Sequence, residues 1–180
     1  MNLRIISGKF GGRTIQAPDG SGLTHPMSER VRGSLFNIIS NRLDDADVLD
    51  VFAGSGSLGL ESLSRGAKSA TFVERDRVAS KILAENIEKL KVGSVATAVQ
   101  IGVSTWIDQN QDNLYDFIFV DPPYNDMQFA AIKKLGVLLK PDGMMILSYP
   151  LRIEMPEFEG LLKIDDRNYG TANLAFYRKV

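Results

Sequence analysis

The chain has 180 residues, 44% of them apolar and 24% charged, a composition that predicts one globular domain with a substantial core. Cysteine is absent, which excludes a disulfide framework, a thiolate zinc site and a cysteine nucleophile. The formal net charge of −1 argues against a protein that coats polyanions indiscriminately, yet residues 1 to 42 carry Arg4, Lys9, Arg13, Arg30, Arg32 and Arg42 against Asp19 and Glu29, a net +4 that leaves −5 on the rest.

Residues 3 to 16 mix short apolar stretches with Gly8, Gly11 and Gly12, which predicts a small glycine-turned hairpin, followed by a loop over 18 to 22. Ser28 suits the cap of a helix whose inward face carries Val31, Leu35, Ile38, Ile39 and Leu43, with Arg30 and Arg32 on other faces. Strands and helices then alternate: strand 47 to 52, helix 57 to 65, strand 69 to 74, helix 76 to 91, strand 95 to 101, a short helix 104 to 109, strand 116 to 120 and helix 127 to 139. Pro141-Asp142-Gly143 reads as a tight turn into strand 144 to 149, and residues 161 to 166 and 172 to 179 as a closing antiparallel hairpin. Such alternation predicts an α/β fold with a parallel sheet covered on both faces, because parallel neighbours need crossover connections. One domain over 1 to 180 is expected, with 1 to 40 as an N-terminal extension and 41 to 180 as the core. No apolar run reaches the roughly 20 residues that span a bilayer, and Met1-Asn2-Leu3-Arg4 lacks the layout of a secretory signal. A soluble cytoplasmic protein without a membrane partner is expected.

Two motifs carry chemistry. Gly54-Ser55-Gly56-Ser57-Leu58-Gly59 follows the strand-like run Val48 to Phe52, and Glu74 ends the next strand twenty residues beyond Gly54. A glycine-rich turn between strand and helix brings backbone N–H groups and a positive helix terminus up to a ligand, while an acid after the second strand binds ribose hydroxyls. Asp50, Phe52, Ala53, Gly54, Ser55, Gly56 and Glu74 are the candidate residues, with Asp50 near a ligand ammonium group. A nicotinamide dehydrogenase shows the same features.

The second motif, Asp121-Pro122-Pro123-Tyr124, separates the two cofactors. It ends the run Phe117-Ile118-Phe119-Val120, at the carboxyl edge where open α/β sheets place ligands. An exocyclic amine on a planar base is a weak nucleophile because its lone pair is delocalised. Asp121 and the Pro122 carbonyl suit acceptors for its two hydrogens, Pro123 stiffens the turn, and Tyr124 suits a stacking partner. Asp121 also suits a proton acceptor. Together the motifs point to methyl transfer from S-adenosylmethionine to an amine, without a metal; the absent cysteine argues against pyrimidine C5 as acceptor. His25, the only histidine, sits beside Pro26 and reads as a loop residue; Trp106 reads as helix cover for the core, and Tyr149-Pro150 borders either substrate or core.

On these residues the chain resembles the small-subunit ribosomal RNA methyltransferase D family, whose members methylate the exocyclic N2 of one guanine in 16S rRNA. The resemblance spans nearly the whole length: Arg4-Ile5-Ile6-Ser7-Gly8 with Gly12-Arg13, Glu29-Arg30-Val31-Arg32 through Leu35-Phe36-Asn37-Ile38, Asp50 through Glu61, Ser64-Arg65-Gly66-Ala67, Phe72-Val73-Glu74, and Asp121 to Tyr124. It implies a Rossmann-like class I S-adenosylmethionine-dependent methyltransferase fold with a seven-stranded, mostly parallel sheet. It also implies an RNA-contacting N-terminal extension using Arg4, Lys9, Arg13, Arg30 and Arg32, and a partner in 16S rRNA of the small subunit or an assembly intermediate, bound by a monomer. His25-Pro26-Met27 departs from the family's usual Arg-Pro-Thr, and Glu29 replaces a common aspartate. The segment Ile101-Gly102-Val103-Ser104 lacks the family's adenine-binding acid, which leaves backbone groups or Ser104 for that contact. An adenine-N6 DNA methyltransferase uses the same tetrapeptide, and a nicotinamide-linked oxidoreductase or a non-catalytic cofactor-binding module are the alternatives of other classes.

Overall fold

A computed structural model describes residues 1–19 and 27–180. The expected loop at 18 to 22 falls partly, and His25-Pro26 wholly, outside the described residues. The chain runs through strands β1 (Asn2–Arg4) and β2 (Thr14–Gln16), helix α1 (Glu29–Ile39), β3 (Asp47–Val51), α2 (Ser57–Ser64), β4 (Ser69–Glu74), α3 (Arg77–Leu90), β5 (Ala96–Gln100), α4 (Val103–Gln109), β6 (Tyr115–Val120), α5 (Phe129–Ile132), β7 (Leu139–Tyr149), β8 (Leu161–Asn168) and β9 (Asn173–Lys179).

Seven strands form one sheet in the order β5-β4-β3-β6-β7-β9-β8. The five from β5 to β7 are parallel, and β9 joins β7 antiparallel before β8 closes the edge. This is the expected mostly parallel sheet with a C-terminal hairpin. Its central strands are apolar at nearly every position because both faces are covered. Side chains alternate between two cores: Phe117, Phe119, Met144 and Ile146 pack under α1, α2 and α3, while Ile118, Val120, Met145 and Leu147 pack under α4 and α5.

Local signals set the helix limits. Ser28 accepts from the Val31 N–H at 3.3 Å to cap α1, and Asp76 accepts from Ala79 at 2.8 Å to cap α3. One expectation fails. The predicted helix over 127 to 139 is two short pieces, α5 and a 3-10 turn at Leu135–Leu138, and β7 begins at Leu139, ahead of the predicted turn. Gln128 enters α5 from the left-handed region, α5 stops at Ile132, and the second piece carries Gly136, a poor helix former, at its centre. Pro141 lacks a ladder donor and Asp142 has φ 61°, so the turn residues form an irregularity inside β7, where the pairing jumps from Tyr115↔Leu139 to Phe117↔Met144.

The N-terminal pair β1 and β2 forms its own two-stranded sheet; β2 packs on α3, where Asn86 accepts from the Gln16 N–H and donates to its carbonyl, both at 2.8 Å, and the connecting loop docks on α2. Glu61, fully buried on α2, accepts from the Ile6 and Ser7 N–H groups at 2.8 and 3.1 Å and pairs with Arg65 at 2.6 Å. The Phe10 N–H donates to Ser64 Oγ at 2.9 Å, and that hydroxyl donates to the Ser7 carbonyl at 2.6 Å. The tip of the C-terminal hairpin reaches α1 through Ser34 and Tyr169, whose hydroxyls lie 2.7 Å apart. Among the described residues no helix is long and apolar enough to cross a membrane.

Candidate active site

The turn from β3 into α2 reverses through left-handed backbone at Phe52 (φ 61°), Gly54 (φ 54°) and Gly56 (φ 80°). A Cβ at Gly56 would sit 2.4 Å from Leu83 Cδ1, so the turn is both left-handed and pressed against α3. Gly54 faces the other way, with no atom within 4 Å of where its Cβ would stand. Asp50, almost fully buried on β3, accepts from the Gly59 N–H at 2.9 Å in the first turn of α2. Its side chain therefore braces the helix end. Ala53, Ser55 and Gly56 are buried, and Phe52 is half-buried.

Parallel pairing brings the loops after β3, β4 and β6 to one edge. Val51 pairs with both Val73 and Val120, so Phe52, Glu74 and Asp121 follow in adjacent positions. Glu74 is 9% exposed and accepts from the Gly54 N–H at 2.8 Å through Oε2 and the Asp76 N–H at 2.7 Å through Oε1. Burial pushes the Asp121 carboxyl up to about 6 against an opposing hydrogen bond from Ser148. Burial also raises Asp50 well above the ordinary carboxyl range, opposed by the Gly59 N–H and reinforced by the charges of Asp121 and Glu74. Among the described residues none of these three carboxylates forms an ion pair with a lysine or arginine. The edge thus gathers three acidic side chains without a paired cation among the described residues, which fits a ligand bearing positive charge.

In the tetrapeptide Pro122 is buried, while Pro123 and Tyr124 are half-buried. Tyr124 is not free: its hydroxyl lies 2.6 Å from Ser148 Oγ. Its pKa is pushed up to about 12, first by burial and also by the Asp121 charge. The loop continues through a turn, with Asp126 N–H donating to the Pro123 carbonyl at 2.8 Å, and Arg75 after β4 latches Asp126 at 3.1 Å. Ser148 is a site residue that the sequence reading missed. Its signal was one polar residue inside Met144-Met145-Ile146-Leu147-Ser148-Tyr149. Tyr149, its neighbour, turns out to be a core residue whose hydroxyl donates to Asp166 at 2.6 Å. Trp106 is buried over the second core.

Ser104 is exposed in the first turn of α4, just after Ile101, whose N–H donates to the Glu74 carbonyl at 3.1 Å. The basic residues divide. Arg4 is exposed and paired with Glu29 at 2.6 Å. Lys9 and Arg13 are exposed and flank the Phe10 ring, 5.6 and 5.4 Å from its centroid. Arg30 is exposed on a cleft of about 790 Å³ between α1 and the hairpin, which Ser34, Asn37 and Arg167 also line. Arg32 departs from the expectation of an outward face: it is 1% exposed, its Nη2 donates to the Arg4 carbonyl, and Nε and Nη1 have no partner among the described residues. It precedes Phe36 by one turn on the buried face of α1, and burial lowers its pKa despite the nearby Glu61 and Glu29.

The family model described as conserved hypothetical protein 95 matches residues 3–178. The chain is 32% identical to the Bacillus subtilis protein named "Putative rRNA methyltransferase YlbH" over 98% of its own length and 99% of that protein's. It is 43% identical to ribosomal RNA small subunit methyltransferase D of Escherichia coli over 68% of its own length, a match covering 60% of that relative. Among solved structures, the Escherichia coli protein titled "Putative methyltransferase yhhF" superposes with a TM-score of 0.88 at 31% identity, covering 99% of this chain and 98% of that one. The fold is the Rossmann-like arrangement of methyltransferases.

Proposed function

We propose that this chain, which belongs to the conserved hypothetical protein 95 family together with ribosomal RNA small subunit methyltransferase D, methylates the exocyclic N2 amine of a guanine in 16S rRNA, with S-adenosylmethionine as donor. One observation carries the reading. Asp121 and Tyr124 stand at the same sheet edge as the Gly54–Gly56 turn and Glu74, where Asp50, Glu74 and Asp121 have no ion-paired cation among the described residues.

S-adenosylmethionine supplies an electrophilic methyl carbon on a sulfonium, so its charge suits that acidic edge. Glu74 holds the ribose hydroxyls through lone pairs its two backbone donors leave free, and Asp50 with the 52–56 turn holds the amino acid end. Ser104 or its neighbouring backbone takes the adenine. Asp121 and the Pro122 carbonyl accept the two amine hydrogens, which turns the nitrogen lone pair toward the donor side. With its carboxyl at about 6, Asp121 is mostly ionised at neutral pH and takes the proton released when the new carbon–nitrogen bond forms. Tyr124 and Pro123 wall the base, and alignment lowers the barrier without a covalent enzyme adduct.

Lys9, Arg13 and Arg30 give the RNA backbone exposed positive charge, with Arg4 beside them. The partner is the small ribosomal subunit or its assembly intermediate in the cytoplasm, read by a monomeric domain whose residues 1–40 contact RNA. The test is methylation of small subunits from cells lacking this protein, followed by mapping of the labelled nucleotide. One N2-methylguanine in 16S rRNA is expected. Label on adenine N6 of DNA, or thermal stabilisation by NAD and none by S-adenosylhomocysteine, overturns the reading.

A further inference from the structure

We propose that Ser148 is a positioning residue for methyl transfer, its hydroxyl accepting from the Tyr124 phenol and donating to the Asp121 carboxylate so that the amine grip and the base wall move as one unit. The inference rests on the methyltransferase reading above. Ser148 is 2% exposed near the end of β7, flanked by Leu147 and Tyr149 and paired across the sheet with Leu174. A hydroxyl in such surroundings is costly unless it is hydrogen-bonded. One partner lies at hydrogen-bond distance, and the proposed second is its neighbour on the adjoining strand. The Tyr124 hydroxyl is 2.6 Å away. Val120 pairs with Leu147 in the parallel ladder, so Asp121 and Ser148 are the next residues on neighbouring strands, and the serine opposes the rise in the Asp121 pKa.

Donor and acceptor roles follow from charge. An ionised carboxylate only accepts, so the single Ser148 proton points to Asp121, and the serine oxygen must then accept from Tyr124. This chain polarises toward the carboxylate. Once Asp121 has taken the amine proton it becomes a donor, and the chain can reverse by rotating two hydroxyls with no heavy atom displaced. The other groups facing Asp121 are Asp50 from β3, with Glu74 beyond it from β4; both are acidic, so Ser148 is the partner that favours the ionised form.

The experiment is single-turnover methylation of small subunits at saturating donor, from about pH 5.5 to 9, by wild type, Ser148→Ala and Ser148→Thr. In Ser148→Ala the rising limb should move up by about 0.5 to 1 pH unit, so that the rate near pH 5.5 falls roughly 3- to 8-fold and recovers to within about 3-fold above pH 8.5. Ser148→Thr, which keeps the hydroxyl, should return the limb toward wild type. A merely structural role would depress the rate equally at every pH and weaken stabilisation by S-adenosylhomocysteine. An active wild type with an unmoved limb in Ser148→Ala overturns the inference alone, whereas a wild type inactive on subunits overturns the function. If Ser148→Ala does not fold, Tyr124→Phe decides, since loss of the phenol must move the limb in the same direction by a smaller amount; an unmoved limb there also overturns it.

Discussion

The Ser64 carbonyl stands so close to Gly8 that a Cβ on Gly8 would lie 1.9 Å from its oxygen, while the next N–H, from Lys9, donates to that oxygen at 2.7 Å. No alanine fits without moving the hairpin off α2. Gly12 is a built-in control, because it shares a left-handed φ of 84° but has no atom within 4 Å of an added Cβ. Gly12→Ala should cost about 1 kcal/mol for the backbone alone. Gly8→Ala should cost at least about 2 kcal/mol, lowering Tm by roughly 4 to 8 °C in a chain of this size. Equal Tm losses would show that the close contact does not matter.

Glu61 ties the same hairpin down from inside. Glu61→Ala removes the acceptor of the Ile6 and Ser7 N–H groups, leaves Arg65 without its partner and leaves the buried Arg32 with Glu29 as its remaining nearby negative charge. Breaking a buried pair in this way costs about 3 to 5 kcal/mol. Limited proteolysis should then cut within residues 1 to 17 well before the core, and an unchanged digestion pattern counts against the docking role.

Asp121→Asn should lose activity and gain stability. The folded carboxyl titrates at about 6 against an ordinary 3.8. Its folded pKa is raised, so its stabilising contribution is complete below the unfolded value and is lost as pH rises through about 6. Asp121 is half-buried and solvent screens part of the shift, so at pH 7.5 its charge is a liability on the order of 1 to 2 kcal/mol. Asparagine should therefore raise Tm at pH 7.5, an advantage that vanishes below about pH 4, while methyl transfer falls about 10²- to 10⁴-fold. Calorimetry at the two pH values checks the sign.

Glu74→Ala should weaken S-adenosylhomocysteine binding at least about 30-fold, equivalent to roughly 2 kcal/mol, because two charge-assisted backbone bonds vanish along with the proposed ribose acceptor. Glu74→Gln should fall between the two. Titration calorimetry reads both, and an alanine variant that binds normally removes Glu74 from the donor site.

Arg30 and Arg32 are two residues apart and should behave differently. Arg30→Ala should leave Tm within about 0.5 kcal/mol of wild type and weaken subunit binding with a salt slope smaller by about 1. Arg32→Ala removes a buried side chain and its bond to the Arg4 carbonyl, and should cost stability first. Matching salt slopes with unchanged Tm in both variants would return Arg32 to the RNA-facing surface.

The mostly parallel sheet, both motifs and the closing hairpin were legible in the chain because each depends on local chemistry: apolar runs of strand length, glycines where backbone must turn left-handed, and an acid or Asp-Pro-Pro-Tyr segment at a strand end. Three features were not. The orientation of Arg32 follows from docking β1 and the loop after it against α1 and α2, which no helical spacing reports. The broken 127 to 139 segment reflects Gly136 packing under Leu161 and a β7 that pairs as far back as Leu139. Ser148 reads as one polar residue in an apolar strand, and only the lateral pairing of β6 with β7, set by packing over the whole sheet, brings it beside Asp121 and against the Tyr124 hydroxyl. Contacts along the chain are written in periodicity and turn chemistry; contacts across it depend on register, and register is a property of the assembled sheet.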